Sequence, residues 1–217
     1  MSLLLGLETA YSPYGIVIGK GQEVLFDSTT IEEFEESRDV AMITKVGLEK
    51  VGATLQDVSK IIVNTGPGGT SSVRTGVAFA NSLAYSLKIP ICSVNFFELI
   101  CEDVWNKHQV PVVCTTKSTK NNLYAALYED GKLVATRYGS FEETLEKMIG
   151  DRPKFAVVGF HREKIVEYFS NKTVIDTEIK LATSRFLIER SDSFINRAVS
   201  YPEIATPITD QSSIFYE

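Results

Sequence analysis

The chain opens with three short apolar runs. Residues 3–9 and 14–19 are separated by Tyr11-Ser12-Pro13-Tyr14, and residues 23–27 follow Lys20-Gly21-Gln22. Short apolar runs broken by Pro, Gly and Ser predict two hairpins and three antiparallel strands. Residues 37–52 then carry Val40, Ile43, Gly47 and Val51 at helical spacing, with Ser37 placed to cap the helix and Gly52 to end it. A strand at 60–64, a helix at 70–87, a strand at 91–94 and a helix at 96–105 follow. The second half predicts strands at 110–115, 123–128 and 132–136, with Glu129-Asp130-Gly131 as a hairpin turn. After these come a helix at 141–149, a strand at 155–159, a helix at 161–169, a strand at 173–175, a helix at 183–197 and an irregular tail over 201–217. The expected division is into two lobes, 1–107 and 108–217, with the boundary near 105–110.

Composition changes this picture little. With 217 residues, 44% of them hydrophobic and 23% charged, the chain can fill two small lobes. Its apolar runs are too short to span a bilayer. The segment Met1 to Glu8 lacks a basic start and meets a carboxylate early, so it reads as a buried first strand and not as a signal peptide. Cys92, Cys101 and Cys114 are widely spaced, which indicates neither a disulfide framework nor a zinc site and fits a reducing cytoplasm. The net charge of −6 argues against direct binding of nucleic acid, because the phosphate term needs clustered cations. His108 and His161 are the only histidines. A histidine-based metal site or a Ser-His-Asp engine therefore lacks parts.

Chemistry concentrates in two stretches. Gly66-Pro67-Gly68-Gly69-Thr70 lies between a buried strand and a long helix, where free N–H groups attract anions. Yet the next lysine after this loop is Lys88, a whole helix away, so it is not a Walker loop. Two readings stand side by side. One is a weak nucleotide site from Glu8, Thr9, Gly66, Gly68, Gly69 and Thr70, with Thr70 or Ser71 as the helix cap. The other is a tight turn in which Glu8 only ties neighbouring loops together, since Ala10, Tyr11, Pro13 and Tyr14 crowd the place where phosphate would come. In helix 70–87, Val73, Val77, Ala80, Ala84 and Leu87 form a seam beside a second stripe of Ser72, Gly76, Phe79, Leu83 and Ser86. Such a helix must be covered on two sides. The polar run 117–122, Lys117-Ser118-Thr119-Lys120-Asn121-Asn122, reads as a solvated hairpin tip that could also touch RNA or a nucleotide.

Three antiparallel strands followed by alternating helices and strands is the layout of the actin-like ATPase (ribonuclease H-like) fold, α/β in class, with a mixed sheet and flanking helices in each lobe. The chain resembles the bacterial TsaB family, also called YeaZ. Leu7-Glu8-Thr9-Ala10 stands where that family has Leu-Asp-Thr-Ser. Gly66-Pro67-Gly68-Gly69-Thr70-Ser71-Ser72-Val73-Arg74-Thr75-Gly76 keeps the glycines, proline and arginine of its signature loop, and Ser93 to Glu98 resembles its Ser-Ser-Leu-Glu segment. Departures are Glu36-Ser37-Arg38 for His-Ser-Glu, Met42 for a helix proline, Ser72 for a glycine, and a C-terminal Pro207-Ile208-Thr209-Asp210 that only loosely follows Pro-x-Tyr-x-Arg.

The resemblance implies a non-catalytic subunit that needs no cofactor of its own. In the family, such a subunit docks on the metal-bearing TsaD and works with the ATPase TsaE to place threonylcarbamoyl on the adenosine next to the anticodon of tRNA. It also implies a homodimer when the chain is alone, contact with tRNA only through the complex, no membrane and a cytoplasmic location. Its partner face is expected on helices 37–52 and 70–87, from Val40, Ile43, Gly47, Val73, Arg74, Gly76, Val77, Ala80 and Ala84. The competing expectation is a small ATPase or small-molecule kinase of the same fold. Against it stand the missing glycine-rich hairpin near residue 10 and a second half with only Gly159 before a helix.

Overall fold

The computed structural model describes residues 2–118, 121–199 and 203–215. In chain order the first elements are β1 (Leu3–Glu8), β2 (Gly15–Lys20), β3 (Glu23–Asp27), α1 (Val40–Lys50), β4 (Val58–Asn64), α2 (Thr70–Leu87) and β5 (Ile91–Val94). Next come α3 (Phe96–His108), β6 (Val112–Lys117), β7 (Asn122–Glu129), β8 (Lys132–Ser140), α4 (Phe141–Ile149), β9 (Lys154–Gly159), α5 (Arg162–Tyr168) and β10 (Thr173–Asp176). Two short helices follow, α6 (Phe186–Glu189) and α7 (Ser191–Ile195). The chain forms two compact units, residues 1–95 with 183–208, and residues 96–182 with 209–217.

In the first unit the strand order is β3-β2-β1-β4-β5. β1 pairs antiparallel with β2 and parallel with β4, and β4 pairs parallel with β5. β1 is therefore central, and every residue of it is buried. Strand alternation sends Leu3, Leu5 and Leu7 into a core shared with Ile16, Ile18, Ile61 and Val63 from the sheet and with residues of α1 and α2. On the opposite face, Gly6 and Gly19 give room to α6. A β-carbon at Gly6 would lie 3.0 Å from Leu187 Cβ, and one at Gly19 would lie 2.3 Å from Ile188 Cγ2. Glycine inside a strand marks close approach of another segment, and here that segment returns from far along the chain.

The second unit repeats the plan, with strand order β8-β7-β6-β9-β10. β6 is central, antiparallel to β7 and parallel to β9. Val113, Leu127, Phe155 and Val157 face α4 and α5 in one core. α3 packs over β6, β7, β8 and β9, and both Cys101 of α3 and Cys114 of β6 are buried. Asp130 and Gly131 both have left-handed backbone angles (φ 52° and 74°), as the tight turn between β7 and β8 requires. The actin-like class, two mixed sheets each flanked by helices, is the fold of this protein.

Some expected details differ. The division comes before α3, not near 105–110, because α3 covers the second sheet, and residues 183–208 go with the first unit. α1 begins at Val40 and is capped by Asp39, whose carboxylate accepts from the Met42 N–H at 2.9 Å; Ser37 lies outside it. At the head of α2, Gly69 holds the cap position and Thr70 is already helical, so neither Thr70 nor Ser71 caps. The helix expected at 183–197 is two short helices that meet at Arg190, where φ is −114° and ψ 19°. In the run 117–122, Thr119 and Lys120 lie outside the described residues, as do Tyr201, Pro202, Tyr216 and Glu217 of the tail.

Candidate functional site

β1 and β4 run side by side in parallel, with Leu7 opposite Val63, so Glu8 and Asn64 leave the sheet together. Carboxyl ends of adjacent parallel strands are where α/β sheets place ligands. Glu8 is 8% exposed. Its carboxylate accepts from the Ala10 N–H at 2.8 Å and from the Asn64 side-chain amide. The Asn64 carbonyl oxygen in turn accepts from the Gly66 N–H at 2.9 Å. Burial pushes the Glu8 carboxyl up to about 7, against the pull of its two hydrogen bonds. The side chain thus ties the end of β1, the end of β4 and the start of the glycine loop into one chain of bonds.

The loop itself is fastened to the turn after β1. Gly66 has φ +96°, which its position demands of a glycine. The Gly69 N–H donates to the Ala10 carbonyl at 3.0 Å, and the Tyr11 hydroxyl donates to the Pro67 carbonyl at 3.3 Å. A β-carbon at Gly68 would stand 2.6 Å from Ala10 Cβ. The hydroxyl of Thr9 points the other way, donating to the Ser72 carbonyl at 2.8 Å, and Thr9 packs on Gly76 of α2. Glu8, Gly68 and Gly69 thus meet at Ala10, which fills the space between strand turn and loop, while Gly66 is tied to Asn64 and Thr9 turns toward α2. Asn64, which sequence reasoning passed over, and Ala10, which it read only as one of the residues crowding the turn, organise the site. A polar Asn ending a β-branched run was the available signal. Among the described residues no group of three or more His, Cys, Asp or Glu side chains could hold a metal ion.

The expected partner residues fare differently. Val40, Ile43, Val73, Val77, Ala80 and Ala84 are all at most 5% exposed in the single chain. Gly47 and Gly76 are buried too. These residues form the sheet-facing side of the helix pair and belong to the core, so the seam named for a partner is internal; Arg74 alone of that set is exposed. The reason is steric. Small residues bring α2 close to the sheet, with Gly76 against Thr9. The outward stripe is the other one. Phe79 and Leu83 stay half-buried and, with Leu48, Ala53 and Leu55, line a mainly apolar groove of about 280 Å³ between the two helices. Lys45 and Glu49 stand on its rim, and Tyr85 nearby is 63% exposed.

The comparisons with known proteins agree with this layout. The family model described as TsaD, tRNA N6-adenosine threonylcarbamoyltransferase, matches residues 36–181. The tRNA threonylcarbamoyladenosine biosynthesis protein TsaB of Buchnera aphidicola subsp. Acyrthosiphon pisum is 26% identical over 68% of this chain and 67% of its own length. The TsaB protein of Bacillus subtilis is 32% identical over 45% of this chain and 42% of its own. Against a further TsaB protein, from Buchnera aphidicola subsp. Schizaphis graminum, the chain spans 56% of the relative, so the matches cover only 42% to 67% of these three proteins. YeaZ from Pseudomonas aeruginosa superposes with a TM-score of 0.69 at 16% identity, over 96% of this chain and 100% of that one. With its family model matching well over half of the residues, and TsaB proteins among its relatives, the chain belongs to the TsaD-type family, on its TsaB (YeaZ) side.

Proposed function

We propose that this chain is a non-catalytic subunit in the making of threonylcarbamoyladenosine on tRNA. It docks through the Phe79–Leu83 stripe and the adjoining side of α1, onto a TsaD-like catalytic subunit or, alone, onto a second copy of itself. A TsaE-like ATPase completes the assembly, tRNA is met through the complex, and the work is cytoplasmic. The observation that carries the reading is Ala10. It occupies the space beside Gly68 that a phosphate would need, and the nearby carboxyl of Glu8 is spent on Ala10 and Asn64. The apolar groove supports the docking half, since apolar surface rimmed by charge marks interfaces.

The test has two arms. The pure chain should hydrolyse ATP at well under about 1 s⁻¹, the low end of ordinary turnover; a faster rate refutes the non-catalytic reading. Capture of a TsaD-like subunit should be lost in Leu83→Arg with folding intact. Undiminished capture would move the docking surface elsewhere.

A further inference from the structure

We propose that the free edge of β8 takes an extended, acidic segment of another protein as an added strand. The edge lies in the second unit, and the proposal does not rest on the docking groove of the first.

Strand order leaves this edge open. β8 is the last strand of its sheet, with β7 as its neighbour. At nine residues it is also the longest strand among the described residues. Alternate residues of an edge strand turn their N–H and C=O groups away from the sheet, as a template for another strand. Among the described residues, no backbone group from Leu133 to Arg137 bonds on that side. Other edges are closed or short. At β5, Ile91 and Val199 exchange backbone hydrogen bonds of 3.0 and 2.9 Å. β3 and β10 have five and four residues. In β8 the register against β7 slips at Val134, which is 42% exposed, and is regular from Ala135 to Ser140.

The surroundings make a groove along the edge. One cavity of about 240 Å³ runs beside Leu133 to Arg137 and is bounded by Ile214. A second, of about 290 Å³, continues from Arg137 to Gly139 between α4 and Phe215. Arg137 lines both. The far wall is fixed in place. The Thr136 hydroxyl donates to the Ile214 carbonyl, and the rings of Phe215 and Tyr124 pack with centroids 5.2 Å apart. Six residues of extended chain reach ~20 Å, enough to lie along both cavities.

Charge selects the occupant. β8 carries Lys132 and Arg137 and no carboxylate. Arg137 is exposed and, among the described residues, forms no ion pair. Lys147 of α4 stands at the second cavity, where it holds Glu143 at 2.7 Å. A second copy suits the edge badly. Centred on Val134 and Ala135, an antiparallel pair would set Lys132 of each copy against Arg137 of the other, and like charges directly opposite destabilise a sheet. A strand bearing a carboxylate meets Arg137 through charge-assisted hydrogen bonds instead. Its main chain supplies affinity as in other cases of strand addition.

The experiment follows the fluorescence anisotropy of a labelled peptide, Glu-Val-Thr-Val-Thr-Glu, titrated with the full chain. A carboxylate at each end allows either strand direction. Wild type should bind it at least tenfold more tightly than Lys-Val-Thr-Val-Thr-Lys. Arg137→Glu, at an exposed position, should weaken the acidic peptide at least tenfold with circular dichroism unchanged. Two further peptides carry N-methyl groups on one or the other alternate set of amides, and only the set that faces β8 should abolish binding. Equal binding of both methylated peptides means contact through charge alone and overturns the proposal. So does failure of wild type to bind the acidic peptide. A homodimer dissolved by Val134→Lys and kept by Leu83→Arg would give the edge to a second copy and overturn it too.

Discussion

Gly68 and Ala10 are fitted to each other. A β-carbon added to Gly68 would lie 2.6 Å from Ala10 Cβ and 2.9 Å from the Ala10 carbonyl oxygen. The loop that looks like a phosphate cradle is instead closed by the residue after Thr9. Its glycine serves backbone packing, and that leads to distinct outcomes for neighbouring glycines.

Gly68→Ala should destabilise the chain by ~1–3 kcal/mol, the usual cost of overpacking. Gly69→Ala should be close to neutral, because its β-carbon would meet nothing nearer than Ala10 O at 3.4 Å, an ordinary contact, and its φ of −60° suits alanine. Adding Ala10→Gly to Gly68→Ala should restore part of the loss, since the carbonyl contact remains. Denaturant midpoints of the four proteins check this.

Glu8 makes stability depend on pH. Its folded pKa of about 7 lies above the ordinary 4.5, so between these values the folded chain holds a proton that the unfolded chain gives up. Raising pH through that window therefore costs stability, up to about 3 kcal/mol near pH 8 relative to near pH 4. In Glu8→Gln this part of the dependence should vanish, leaving a flatter curve across the same range. Urea unfolding of both proteins at several pH values measures it.

The two stripes of α2 should separate under substitution. Ala80→Arg places a long cation at a fully buried position and should cost more than ~4 kcal/mol, enough to unfold the chain. Leu83→Arg, on the half-buried groove side, should change stability by no more than ~1 kcal/mol while abolishing assembly. Circular dichroism with size-exclusion chromatography distinguishes them.

Leu187 is fully buried against the β1 face at Gly6. Leu187→Ala should cost ~2–5 kcal/mol, as a large-to-small change in a core does. Hydrogen exchange should show the added opening in β1, β2 and β3, the strands that α6 covers.

Local pattern carried the elements well. Helix 70–87 and strand 91–94 match the sequence reading end to end, because β-branched runs bounded by Gly and Pro leave little choice. At the loop after β4 the deciding contact is Ala10 on Gly68, a side chain of the turn that composition cannot weigh. Which stripe of α2 meets the sheet was likewise hidden, since both are apolar. The seam of Val73, Val77, Ala80 and Ala84 goes inward, together with Gly76 of the second stripe, because these small residues let the backbones approach. Gly6 and Gly19 were the one local sign of a covering segment, and nothing local says that it comes from residues 183–208.

That late return has a consequence for synthesis. A ribosome makes roughly 5–20 residues per second, and the second unit is made between β5 and α6. The first sheet is thus complete in its strands while Gly6 and Gly19 still lack Leu187 and Ile188 over them. For those seconds the nascent chain shows an apolar sheet face, a natural stop for a chaperone. A chain halted at residue 182 would hold that face open for good.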